Sequence, residues 1–323
     1  MRIIDLFNKI FNRNHNKPNI LTSGDQRYSQ LVELIDGKDL SKRLTESLTQ
    51  ELEAVRHKYA GDFYAYPLQT KISVSDTREL VKKFFSSINP DLYKWVYDID
   101  ADVNPYAKLD KNYQGIESCV TNPNQLPVAI KLPVRGDLRQ VYEAVHELTH
   151  TFDIKRGDTA TRRVLGEIAS QCMERLLDDF LLNLSDEDIK KYGFDRNTLE
   201  QDIIDRKLST FFDRLRMTEL IEKNEDGQEL HLRYMLAQIY SSHIEQFGRA
   251  ERIDRLKSFI KFVENDDFDG ANNSLGMQIK KDNKLQRDSY IRDTISVVDT
   301  LVKPENKVDI EGKEKLERDE LNK

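Results

Sequence analysis

Between Pro127 and Phe152 the hydrophobic period changes from two residues to about 3.6, and that change sets a strand followed by a helix. Val128, Ile130 and Leu132 alternate with Ala129 and Lys131, so this segment reads as a strand with one buried face. Pro133 and Gly136 end it. Asp137 then reads as a helix N-cap, and Gln140 three residues on completes a capping-box pattern. Leu138, Val141, Val145, Leu148 and Phe152 recur at helical spacing and form an apolar stripe. His146, Glu147 and His150 fall on the opposite side.

The stretch that carries them reads His146-Glu147-Leu148-Thr149-His150. Two histidines four residues apart on a helix point to nearly the same side, so both imidazoles can bind one metal ion. The glutamate between them faces whatever else that metal holds. This is the H-E-x-x-H pattern of zinc hydrolases, with Glu147 as general base. The competing reading is a pair of surface histidines on an amphipathic helix. Cap, period and motif agree with one another, which favours the metal site.

A hydrolytic zinc site usually takes three protein ligands and keeps one position for water. The third must come from another element. Residues 159–182 read as a helix with a broad apolar face built from Val164, Leu165, Ile168, Ala169, Cys172, Met173, Leu176, Leu177 and Phe180. Glu167 sits beside that face, behind Gly166. A carboxylate there is costly unless something pairs with it, and a metal ion would do so. An ordinary boundary glutamate is the alternative. Glu174 and Asp178 are further candidates, and Asp153 and Asp158 are placed to orient an imidazole from behind.

Together these residues resemble the thimet oligopeptidase and oligoendopeptidase F family of zinc peptidases. Members carry H-E-x-G-H, then a helix with a Glu-x-x-Ser-Gln-x-x-Glu element. Glu167, Ser170, Gln171 and Glu174 match that element position by position. The run Ser75-Asp76-Thr77-Arg78-Glu79-Leu80-Val81-Lys82-Lys83-Phe84-Phe85, and then Gly115-Ile116-Glu117-Ser118-Cys119, is also similar to the family's entry into its core. The resemblance spans roughly residues 70–270. It implies that Glu167 is the third ligand to one Zn2+ ion. It further implies that His231 and Tyr234, three apart on a late helix, donate to the oxyanion, with histidine at one of the family's tyrosine positions. Thr149 replaces the family's glycine and Asp153 its common histidine. Only about 70 residues precede the matching region, where members have a long helical part walling a channel.

Helical periods dominate, and only residues 127–134 read clearly as strand. The expected fold is therefore mainly α with a small β-sheet, and the resemblance implies a zincin-like metallopeptidase core of gluzincin type. The expected activity is hydrolysis of internal peptide bonds in peptides or in one protein, through a zinc-activated water. The strand from Val128 to Leu132 is expected to align the substrate backbone by strand addition. Two other readings compete: a degenerate peptidase fold that binds peptides or proteins without cutting, and a secreted effector protease with a narrow protein target.

The rest of the chain bounds these expectations. Its 323 residues suffice for a sizeable core, 33% of them are charged, and the net charge of −7 argues against nucleic-acid binding. Residues 1–19 read as an amphipathic segment (Ile3, Ile4, Leu6, Phe7, Ile10, Phe11) and a polar linker, suited to peripheral membrane or partner docking through residues 1–11. Residues 20–302 read as the catalytic domain, with helical regions near 26–60 and 76–98, and residues 303–323 as a charged tail. No signal peptide or membrane span is read, so a cytoplasmic location is expected. Cys119 and Cys172 are expected to be buried thiols, and His243 a surface or packing residue.

Overall fold

The computed structural model describes residues 37–59, 68–89, 107–110, 118–122, 125–153, 160–222, 228–277 and 284–303. These are mainly helical. Helices α1 (Gly37–Glu46), α2 (Gln50–Tyr59) and α3 (Val74–Ile88) precede strands β1 (Ala107–Asp110), β2 (Ser118–Asn122) and β3 (Gln125–Pro133). Then come α4 (Arg139–Asp153), α5 (Ala160–Leu182), α6 (Asp186–Tyr192), α7 (Arg196–Glu222), α8 (Gln228–Ile244), α9 (Arg249–Glu264), α10 (Phe268–Ser274) and α11 (Lys284–Val302).

Two helical expectations are adjusted at their ends. The region near 26–60 holds two helices where it is described, broken at Ser47–Thr49, and the Thr49 hydroxyl accepts from the Leu52 N–H at 3.3 Å to start α2. In the region near 76–98, α3 ends at Ile88, and residues 90–98 lie outside the described residues. Asn89 is extended there (φ −162°, ψ 128°), as a residue preceding proline must be, because Pro90 crowds the helical conformation. Ser73 caps the start of α3 by accepting from the Asp76 N–H at 3.0 Å.

Strand β3 lies between its neighbours. β1 runs parallel to it, from Ala107 opposite Ile130 to Asp110 opposite Pro133, and β2 antiparallel, with Ser118 opposite Lys131. At Ile130 and Lys131 both edges of β3 are engaged, so the expected strand addition of a substrate does not fit there. The outer edges of the described strands belong to β1 and β2.

The turn from β3 into α4 fixes the direction of the histidine-bearing helix. Gly136 takes φ +74°, a left-handed conformation that suits glycine. The segment before α3 clamps this turn: Ile72 donates to the Gly136 carbonyl at 3.3 Å and Leu138 donates to the Thr70 carbonyl at 2.9 Å. Asp137 caps α4 by accepting from the Arg139 N–H at 3.0 Å. The Gln140 side chain reaches further back than a capping box requires. Its oxygen accepts from the Arg135 and Gly136 N–H groups at 3.2 and 3.0 Å, and its amide donates to Thr77 of α3.

Helix α5 runs through the middle, packed against α4, α7, α8 and α9. Its apolar side chains Leu165, Ile168, Ala169, Cys172, Met173, Leu176 and Leu177 are buried, but so are Ser170, Gln171, Glu174, Arg175 and Asp178. A helix enclosed on all sides must pair its polar groups internally, because an unpaired charge in that setting is prohibitive. Gln171 and Arg175 reach Gln238 of α8, at 3.5 and 3.4 Å. Arg175 also reaches Glu245, just past the end of α8, at 3.4 Å. Among the described residues, no helix is long and apolar enough to cross a membrane.

Candidate metal centre

Helix α4 presents its histidines inward. The stripe residues Leu138, Val141, Val145 and Leu148 are buried as the period predicts, but Glu147 and Thr149 on other faces are buried too. The His146 and His150 side chains keep only 17% and 16% of their surface, which excludes a solvent-facing pair. The rings meet edge to face, and their Nε2 atoms lie 3.1 Å apart. Thr149 turns its hydroxyl onto the Val145 carbonyl at 2.7 Å and so leaves no unsatisfied group.

Helix α5 brings the carboxylate. Oε2 of Glu167 lies 3.3 Å from Nε2 of His146 and 3.7 Å from Nε2 of His150. That oxygen is buried and has no hydrogen-bond partner among the described residues. Three donor atoms held 2.0–2.2 Å from a tetrahedral ion would stand roughly 3.3–3.5 Å from one another. The observed triangle of 3.1, 3.3 and 3.7 Å brackets that spacing. A Glu147 carboxylate oxygen also lies within 4.8 Å of ligand atoms on both histidines. The donor set is nitrogen and oxygen, which suits a divalent transition ion, and the orphaned Glu167 oxygen is the atom such an ion would satisfy.

The electrostatics favour positive charge at this point. Burial pulls the His146 pKa down, but the carboxylates of Glu167 and Glu174 outweigh it and hold the imidazole well above its ordinary value. Burial pushes Glu167 up, yet His150, His146 and Arg214 bring it to about 2. Glu174 behaves alike: burial raises it, and Arg206 with His146 takes it to about 2. Two buried carboxylates thus stay ionised around the imidazoles, where either protons or a cation can answer them.

Glu174 is not in position to be the third ligand. Its Oε1 bonds Nδ1 of His146 at 2.6 Å, on the far side of the ring from Glu167. In a neutral imidazole this puts the proton on Nδ1 and leaves the Nε2 lone pair facing His150 and Glu167. Arg206 of α7 grips the other Glu174 oxygen, and its guanidinium stacks 3.6 Å above the Tyr142 ring of α4. Asp178 is occupied elsewhere: it accepts from the Tyr142 hydroxyl at 2.6 Å and lies near Lys207 at 3.6 Å. Burial, with Asp178 beside it, pushes the Tyr142 hydroxyl well up, so it remains a donor.

The sequence reading missed Arg206 and Tyr142. Arg206 lies 32 positions from Glu174, and no local pattern links them. The available signal was the crowd of charged residues on an otherwise apolar α5, which demands partners of opposite sign. Of the residues expected to hold an oxyanion, Tyr234 lies on α8 with its ring 4.1 Å from the Arg214 guanidinium. His231 is on the same helix, but its side chain lies outside the described residues, as do the side chains of Asp153 and Cys119, all of Asp158, and segments 1–36 and 304–323. Cys172 is a buried free thiol, and His243 bonds Asp293 of α11 at 3.1 Å, a packing role.

A scan against protein-family models and searches of curated proteins and of solved structures found no match to this chain.

Proposed function

We propose that this protein is a zinc-dependent metalloendopeptidase with a zincin-like core, hydrolysing internal peptide bonds of peptides or of one protein. The observation that carries this reading is the triangle of donor atoms from His146, His150 and Glu167, drawn from two helices and matched to the spacing of a tetrahedral ion. A zinc ion held there supplies Lewis acidity and an acidified water.

The chain's own groups divide the remaining work. Glu147, buried on the same helix and close to both imidazoles, takes the proton from the attacking water and returns it to the leaving amine. Glu174 fixes the His146 ring through Nδ1, and Arg206 fixes Glu174. Tyr234 and His231 are the groups assigned to hold the oxyanion. Strand β3 supports this layout by feeding through the Gly136 turn into α4. Both of its edges are occupied at Ile130 and Lys131.

The test is a peptide-library digest by zinc-loaded protein, with and without chelator, alongside the Glu147→Gln variant. Chelator-sensitive cleavage that Glu147→Gln abolishes, with bound zinc unchanged, supports the reading. A Glu147→Gln variant that cuts at the parent's rate refutes it. Bound zinc without any cleavage points instead to a peptide-binding module.

A further inference from the structure

Arg214 has no place in the hydrolytic scheme, yet α7 carries it to the level of the metal-binding carboxylate. Helix α7 runs antiparallel to α5, with Arg206 on Glu174. Arg214 lies eight residues further along α7, and Glu167 seven residues back along α5. Two turns in opposite directions, each roughly 11 Å, bring Arg214 level with Glu167. On α8, the Arg214 guanidinium lies over the half-buried Tyr234 ring at 4.1 Å.

The charge on Arg214 is under-compensated. Among the described residues its ionic partner is Asp213 at 3.1 Å, and Asp213 also accepts from Arg216 at 2.9 Å. One carboxylate between two guanidiniums leaves a net positive charge. The Arg214 side chain keeps only 13% of its surface, and its buried Nε–H has no hydrogen-bond partner among the described residues. A cation ion at the Glu167 oxygen would claim the negative charge that otherwise faces Arg214. A largely desolvated guanidinium with a free donor, flat against an aromatic ring, is suited to bind a carboxylate.

Resting on the metallopeptidase reading, we infer that Arg214, positioned by Tyr234, is a subsite cation that takes a carboxylate of the bound peptide. That carboxylate is either an acidic side chain close to the scissile bond or a free C-terminus. The site therefore selects anionic peptides although the chain as a whole is acidic.

The test uses the full chain, zinc-loaded and carrying Glu147→Gln to prevent turnover. Its affinity is measured by calorimetry for four probes: acetyl-Ala-Ala-Asp-Ala-Ala-amide, the same peptide with Asn for Asp, acetyl-penta-alanine with a free carboxylate, and its amide. The acidic member of at least one pair should bind roughly ten- to hundredfold more tightly than its neutral twin, and which pair shows it identifies the source of the carboxylate. Adding Arg214→Gln should erase that preference with zinc content unchanged, and Arg214→Lys should keep part of it. Equal affinities within both pairs, no binding of any probe at millimolar concentration, or a preference that survives Arg214→Gln would overturn the inference. Chelator-sensitive cleavage by the parent chain without a carboxylate preference overturns this inference alone. A preference that depends on Arg214, with no cleavage by the parent, removes the peptidase reading and leaves the anion site.

Discussion

Oε2 of Glu167 lies 3.3 Å from Nε2 of His146, across the gap between α5 and α4. Neither helix contains a site alone. The two imidazoles come from one turn of α4, and the carboxylate arrives only because α5 packs beside it with its charged residues turned inward. Several consequences of that packing can be measured.

Glu167→Gln keeps the shape of the side chain and removes the charge that sits against both imidazoles. Bound zinc, measured by atomic emission after dialysis, should fall from about one ion per chain to a small fraction, because three protein ligands become two. Far-UV circular dichroism should stay unchanged. Full zinc occupancy in this variant would show that the carboxylate is not a ligand.

Glu174→Gln tests the residue behind His146. It loses both the charge-assisted bond to Nδ1 and the partner of Arg206. Zinc affinity, read by competition with a chromogenic chelator, should weaken roughly ten- to hundredfold while one ion per chain still binds at saturation. Unchanged affinity would mean that the hydrogen bond does not tune the histidine.

Glu245 gives a pH signature away from the candidate metal ligands. Burial raises this carboxyl, but Arg175 and Lys207 outweigh it and hold its pKa below the ordinary value of about 4.5. A depressed carboxylate stabilises the fold above its unfolded pKa, and the contribution is lost as pH falls through the lower folded value. Glu245→Gln should therefore lower Tm by several degrees at pH 7, on the order of 3 kcal/mol for breaking a buried pair. The gap to the parent should close as pH drops below about 4.5. A gap independent of pH between 7 and 3 would contradict the pairing.

Gly136→Ala separates backbone conformation from space. A Cβ at this position meets nothing within 4 Å, but φ is +74°. The substitution should cost about 1–2 kcal/mol in urea unfolding, from the left-handed conformation alone. A neutral result would mean that the turn before α4 adopts another conformation.

Local chemistry explains what was legible beforehand. The alternation of Val128, Ile130 and Leu132, the turn residues Pro133 and Gly136, and the stripe from Leu138 to Leu148 each depend on neighbours within a few positions, and the strand and α4 follow them. The stop of α3 before Pro90 was legible in the same way but was passed over. The strand-addition role of β3 was not readable, since whether a strand is central or at an edge depends on which segments pair with it.

The sequence by itself determined that two histidines and a glutamate share one helix and that a second, glutamate-bearing helix follows. Periodicity and capping act within a single element, so they suffice for that much. Tertiary structure alone decided which α5 carboxylate faces the Nε2 atoms, that Glu174 lies behind the ring, and that Arg206 of α7 comes to Glu174 while Arg214 comes level with Glu167. Those choices depend on how three helices rotate and slide against one another, and the pairing of buried charges between distant residues settles that geometry.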